Sequence, residues 1–322
     1  ENSHQSFTTL MNINIQGEYL IMKNQGLTLT IIANMTSNYG EGLGNLSTVQ
    51  KVFKNGKTFA TRSRESLKNS LMVEAGFYDD LVVVSAGGVT QKDVNEELNA
   101  SNCRALEGGY MNTEGTTTIR KSSIYLTDAI SCSEFVGEYR FHNNLFMAQR
   151  AADQLGINLQ EEGNAKEAGL MPYQYEYDRG LKVYSVTIDL DRVGVDENFT
   201  KDDLPLEADS EEKADRVISL LKAIQSLNLV VKGNLDNAEP VFIVGGIGER
   251  KTHFFENVIN VENQELLITE DLKYRLGDNY KAALLEGGNL KNETEIKESL
   301  NSISISEFFD DLFVKVRQYY GV

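Results

Sequence analysis

The sequence predicts an α+β fold whose sheet is laid down as strand, helix, strand, strand, helix, strand, and is enlarged by long insertions. Three observations predict it. Threonine alternates with branched apolar residues at Leu27–Ala33, a capped helix with a leucine pair begins near Ser63, and an amphipathic helix at Ser210–Leu227 runs on to the apolar strand Val241–Val244.

Leu27–Ala33 has the period of two that suits a strand with one buried face. A polar loop rich in glycine follows through Tyr39–Asn45. A short strand at Lys57–Thr61 leads to a helix starting near Ser63, where Leu67 and Leu71, four apart, share a face. Residues 79–180 form the large insertion, with a strand-like run at Leu81–Ser85 and a β-rich piece from Thr116 to Ile130. Tyr173–Tyr177 and Leu181–Leu190 read as two strands joined by a tight turn at Asp178-Arg179-Gly180. In the helix at Ser210–Leu227, Val217, Ile218, Leu221 and Ile224 make the apolar stripe, with Lys213, Arg216, Lys222 and Gln225 facing out. The last helix opens with the capping box Ser304-x-x-Glu307, buries Ile305, Phe308, Leu312 and Val316, and stops near Gly321. Without the insertion, the order is the βαββαβ of ferredoxin-like and RRM-like domains. Met22-Lys23-Asn24-Gln25 reads like a start, which makes residues 1–21 an extension and residues 22–322 one RRM-like domain ending in a helical region.

Composition bounds the function. The chain has 322 residues, 41% of them hydrophobic and only three prolines, the profile of a folded protein with a sizeable core. Cys103 and Cys132 are too few for a disulfide framework or a zinc site, and His4, His142 and His253 stand alone. No apolar run nears the ~18 residues of a membrane span, and the first residues lack the pattern of a secretory signal. The expectation is a reduced, cytoplasmic protein without cofactor or membrane contact.

A formal net charge of −17 opposes nucleic-acid binding at long range. The charge is segregated, however. Lys51, Lys54, Lys57, Arg62, Arg64 and Lys68 face a single acid, Glu65, within Lys51–Lys68, whereas Asp196–Asp215 holds nine acids against Lys201 and Lys213. Either run by itself also describes a solvated face.

Three motifs are candidates for chemistry. Ser63 is a good N-cap, so the amides after it, with Arg62, Arg64 and Lys68 around them, form a natural phosphate seat; a capped surface helix is the bland alternative. Gly245-Gly246-Ile247-Gly248-Glu249-Arg250-Lys251 lets backbone approach a ligand at a strand end, or is a plain turn. It lacks the Gly-Lys-Ser/Thr of a Walker loop. Asp189-Leu190-Asp191 places two carboxylates on one side of a strand end, a structural or solvent-facing pair without further metal ligands. No Gly-x-Ser-x-Gly elbow is present, and nothing pairs Cys132 with His142.

Taken in order, Ile32-Ala33-Asn34, Gly44-Asn45, Ser63-Arg64-Glu65-Ser66-Leu67-Lys68, Gly109-Tyr110-Met111, Ile119-Arg120-Lys121-Ser122-Ser123, Ile188-Asp189-Leu190-Asp191-Arg192-Val193-Gly194 and Asp215-Arg216-Val217 resemble the DevR branch of the Cascade backbone ("Cas seven") proteins of type I-B CRISPR systems. The resemblance covers roughly residues 26–246. It implies an RRM-like palm with fingers and a thumb, no catalysis, and copies stacked along a crRNA beside other Cascade subunits, with target DNA engaged through the guide. It also implies that Ser63, Ser66 and Lys68 touch the RNA backbone. Glu65 and Asn69 stand where that pattern often carries glutamine and a second basic residue. The expected RNA contacts are therefore Lys51, Arg62, Ser63, Arg64, Ser66 and Lys68 around the helix start; Gly245, Gly246, Arg250 and Lys251 in the glycine cluster; and Asn34, Asn45, Tyr110, Arg120 and Lys121 along the resemblance. Two rivals stand beside this reading. One is a metal-dependent RNA-cleaving subunit like type III relatives, using Asp79 or Asp80, and the other is a structural protein that binds no RNA.

Overall fold

The computed structural model describes residues 12–13, 19–20, 25–40, 45–86, 88–113 and 117–322. Most of the proposed extension, Gly44 and Thr116 lie outside the described residues. The principal strands are β1 (Gly26–Thr36), β2 (Lys51–Lys54), β3 (Lys57–Arg62), β4 (Ile124–Leu126), β5 (Ala129–Ser131), β6 (Tyr139–Asn143), β7 (Pro172–Glu176), β8 (Arg179–Asp189), β9 (Pro240–Gly248) and β10 (Lys281–Leu284). The longest helices are α1 (Arg64–Glu74), α2 (Leu145–Leu155), α3 (Ser210–Gln225) and α4 (Ile305–Tyr320).

One nine-stranded sheet organises the fold, in the order Ile303–Ser304, β10, β9, β1, β8, β5, β3, β2, with β4 also paired to β8. β1 lies near its middle. It runs antiparallel to β8 along its full length, from Thr36 opposite Arg179 to Gly26 opposite Asp189, and antiparallel to β9 on its other side.

The alternation of β1 divides two cores. Leu27, Leu29, Ile31, Ala33 and Met35 pack beneath the helices with Leu67, Leu71, Val217, Leu221 and Phe308. Burying each of these side chains other than Ala33 stabilises by ~1.5–3 kcal/mol. On the opposite face Ile32 joins Phe242, Val244, Phe255, Leu272 and Ile296. β1 is thus buried on both faces, not one, because the chain after β9 folds back across the sheet. The threonines on that face tolerate burial through their hydroxyl bonds: Thr30 to Ser185 at 2.7 Å, and Thr28 to the Thr252 carbonyl at 2.9 Å.

Both helix starts form at the expected caps. Ser63 Oγ accepts from the Ser66 amide and Ser304 Oγ from the Glu307 amide, while Gly321 at φ 80° ends α4.

Three local expectations are corrected. Tyr173–Tyr177 and Leu181–Leu190 are not a hairpin, since β7 pairs with β6 and with Leu46–Ser47 whereas β8 belongs to the large sheet. Asp178 makes the switch between sheets, its carboxylate accepting from Ser37 Oγ and Lys182 Nζ. Arg216 does not face out; it is 1% exposed and ion-paired with Glu107 and Glu212. Gly245 and Gly246 form no turn but continue β9 beside β1. A Cβ on Gly245 would stand 1.9 Å from the Thr28 carbonyl oxygen, so the close approach is to a neighbouring strand rather than a ligand.

No helix among the described residues is long and apolar enough to cross a membrane.

Candidate nucleic-acid interface

The mouth of α1 is built by the turn out of β3. Ser63, extended at φ −64° and ψ 147°, lets its hydroxyl cap the first turn. Its own amide donates to Asn38 Oδ1 at 2.7 Å, and the Arg64 amide donates to the exposed Asp128 carboxylate at 2.8 Å. With the Ser66 amide on Ser63 Oγ, three of the four first-turn donors are met inside the subunit, one of them by a carboxylate. The expected row of free amides is therefore largely closed. Asp128 sits where the helix dipole would favour an anion.

The cations around this mouth differ in what they can reach. Arg64 is exposed, with Nε on Glu65 at 2.9 Å, and Lys121 is exposed on the neighbouring loop. Arg62 is buried, its guanidinium donating to the Thr36 carbonyl. Lys51 pairs with Glu176 at 2.6 Å. Lys68, half-buried, donates to the Gly108 carbonyl and to Ser122 Oγ. Burial first, and the neighbouring Lys92 second, push its ammonium down to about 8, against the pull of Glu107.

Two expected contacts are structural. Arg120 is 2% exposed, and its donors go to Val195, Leu106 and Arg192 carbonyls and to Glu107 at 3.1 Å. Tyr110, also buried, donates to Asp196 and accepts from Asn198. Neither side chain reaches the surface. Asn34 has its Oδ1 buried in β1 without a partner among the described residues, and Asn45 is exposed beside Gln174.

Sequence reasoning missed the centre of this network. Glu107, 1% exposed, binds Arg120, Arg216, the Gly194 amide and Ser123 Oγ. Nothing local in the sequence separates it from the chain's other acids.

The glycine cluster lies elsewhere. Gly246 and Gly248 pair with Thr28 and Gly26, at the end of β1 away from Arg62. The ten-residue span of strand between those ends is roughly 30 Å, so the two expected patches do not form one site. Lys251 is held by Asp189 at 2.6 Å and Asp191 at 2.5 Å, which gives the Asp-Leu-Asp pair a structural partner. Arg250 is exposed over the Phe254 ring and edges a groove with Tyr125, Thr187, His253 and Arg275. His253 bonds Thr187 at 2.9 Å, and burial lowers its basicity.

Asp79 and Asp80 edge a second, polar groove shared with Arg104, Asp209, Glu212 and Arg216. Among the described residues no group of three His, Cys, Asp or Glu side chains stands together as metal ligands.

A face the sequence reading passed over lies on β6 and β7. Arg140 and His142 stand opposite Tyr175 and Tyr173, on the same side of this small sheet. The signal was present as period-two alternation in Arg140-x-His142 and Tyr173-x-Tyr175-x-Tyr177.

Residues 27–263 match a family described as CRISPR-associated negative auto-regulator DevR/Csa2. No curated protein matches the sequence. Among solved structures, the fold is similar to a chain of a "CRISPR RNA-guided surveillance complex", with a TM-score of 0.53 and 17% identity, covering 90% of this chain and 99% of that one. It is likewise similar to a chain of a "CRISPR RNA-guided surveillance complex, pre-nicking", with a TM-score of 0.55, 15% identity and the same coverage.

Proposed function

Because the chain belongs to the CRISPR-associated DevR/Csa2 family, we propose that it is a crRNA-binding backbone subunit of a type I-B Cascade surveillance complex. In this reading copies assemble in the cytoplasm along the guide by phosphate contacts, beside other Cascade subunits, and target DNA is met through the guide. The family match from β1 past β9 carries the reading. Support for an RRM-like palm comes from the central order β9, β1, β8, β5, with α1 and α3 against one face; the insertions between and after these elements supply fingers and thumb.

A subunit that serves any guide has to grip phosphate and sugar rather than read bases. Arg64 and Lys121 are the side chains best placed for this near α1. Lys68 and Ser63 hold the mouth in shape, and Asp128 keeps it from being a bare anion site. No catalytic step is assigned.

The test is size-exclusion chromatography of the full chain with and without a spacer-length RNA, monitored at two wavelengths. Comigration and a shift to larger species are expected. A protein that elutes unchanged and free of RNA at low salt would instead support a scaffold that binds none, in keeping with the net charge of −17. Metal-dependent cutting of RNA at regular intervals would support a nuclease.

A further inference from the structure

The small sheet of β6, β7 and Leu46–Ser47 carries a feature that the first-helix region lacks. His142, Tyr173 and Tyr175 lie nearly parallel, with interplanar angles of 10–19°. Their centroids are 4.9 Å (His142–Tyr175), 5.5 Å (His142–Tyr173) and 6.4 Å (Tyr173–Tyr175) apart. A column of three rings would separate its ends by about twice the nearest spacing, so three short distances describe a triangle of tilted tiles. His142 is exposed and Tyr173 is 42% exposed.

Cations flank the tiles on both sides. The Arg140 guanidinium lies 3.4 Å over the Tyr177 ring, next to the triad. On the other side Tyr39 meets Tyr175 edge-on at 5.9 Å, with Lys232 Nζ 5.0 Å over the Tyr39 ring and 3.3 Å from Ser47 Oγ. Glu138 lies 3.5 Å from Arg140, whereas Glu176 points to the opposite face, where Lys51 and Tyr139 hold it.

We propose that this face is a stacking platform for the unpaired bases of a single-stranded RNA, with Arg140 and Lys232 taking the flanking phosphates. The inference rests on the RNA-binding reading above. Cross-strand rings also stabilise a small sheet, but that role does not require exposed rings with a cation at each margin. Sequence-tolerant single-strand sites combine π-faces with a cationic track. Stacking uses ring faces and leaves base edges free, so the platform is compatible with a guide that must still pair.

The experiment uses the full chain and a labelled mixed-sequence RNA of about 12 nucleotides, a length within single-strand site sizes, followed by fluorescence anisotropy. A matching RNA with abasic positions and the same sequence as DNA are the companion probes. His142→Ala and Tyr173→Ala should each weaken binding to the base-bearing RNA about tenfold. Both should leave the abasic affinity and the melting temperature near wild type, and Tyr173→Phe should bind normally. Wild-type-like affinity in both alanine variants overturns the platform while leaving the RNA-binding reading intact. An equal loss on the abasic probe also overturns it, since stacking would not be what was removed. A larger loss on DNA than on RNA overturns the assignment to RNA. Failure of the wild-type protein to bind any of the three probes overturns both readings.

Discussion

At the scale of single residues, Glu107 and Lys68 show how a buried charge is made tolerable. Glu107 bonds two guanidiniums, a hydroxyl and a backbone amide, tying the Arg104–Gly108 turn to the segment before β4, the loop after β8 and α3. Removing one partner from such a network leaves the others uncompensated. Glu107→Ala should therefore lose ~3–5 kcal/mol of stability, read as a lowered urea midpoint. Arg120→Ala should destabilise through the same network, whereas Lys121→Ala should leave the midpoint unchanged and lower only RNA affinity. Equal midpoints for Arg120→Ala and Lys121→Ala would contradict this division.

Lys68 gives a pH dependence of definite sign. Its folded ammonium titrates at about 8, below its ordinary value of 10.5, so between those values the unfolded chain binds more protons and stability rises with pH. Below about 8 both states are protonated and the cost of burying the charge is fully present. The buried thiols of Cys103 and Cys132 are shifted upward and act in the opposite sense above their ordinary value, so the difference between variants is the informative measurement. From pH 7.5 to pH 9.5 the melting temperature of the wild type should rise relative to that of Lys68→Met. A pH-independent gap would show that the ammonium is not buried as described.

At the scale of elements, caps and strand pairings decide what a segment becomes. Ser63→Ala removes the hydroxyl that meets the Ser66 amide and should cost ~1 kcal/mol, without abolishing RNA binding if Arg64 and Lys121 carry the contact. Gly245→Ala is far harsher, because its Cβ meets a backbone oxygen of β1 that has no room to retreat. The loss should reach at least the upper end of the ~1–3 kcal/mol range for overpacking, with thermal melting as the measure. Gly56, with open space around its Cβ position but a φ of 76° that itself disfavours a side chain, is the control for a turn glycine, where only the backbone cost of roughly 1–2 kcal/mol is expected.

At the scale of the whole molecule, a net charge of −17 leaves RNA binding to cations that are exposed, so the proposed function has a salt signature. If one protomer neutralises about four phosphates, log affinity should fall against log salt with a slope near −3. Arg64→Ala combined with Lys121→Ala should flatten that slope by about one unit or more. A slope near zero in the wild type would contradict phosphate recognition altogether.

Local signals determined a good deal by themselves: the strand at Leu27–Ala33, the Ser63 and Ser304 caps, the stripe Val217, Ile218, Leu221 and Ile224, and the helix end at Gly321 were all legible. Each depends on interactions within a few residues of the chain, such as a side chain meeting an amide three positions on or a repeat of 2 or 3.6. Tertiary structure alone decided that Arg216 and Arg120 turn inward to Glu107, that Asp128 closes much of the α1 mouth, that β7 and β8 part into different sheets, and that His142 meets Tyr173 and Tyr175. Those outcomes follow from pairings between positions about 13 to 160 residues apart; a period of two marks the ring-bearing strands, but nothing local shows which partner a charge, a ring or a strand will meet.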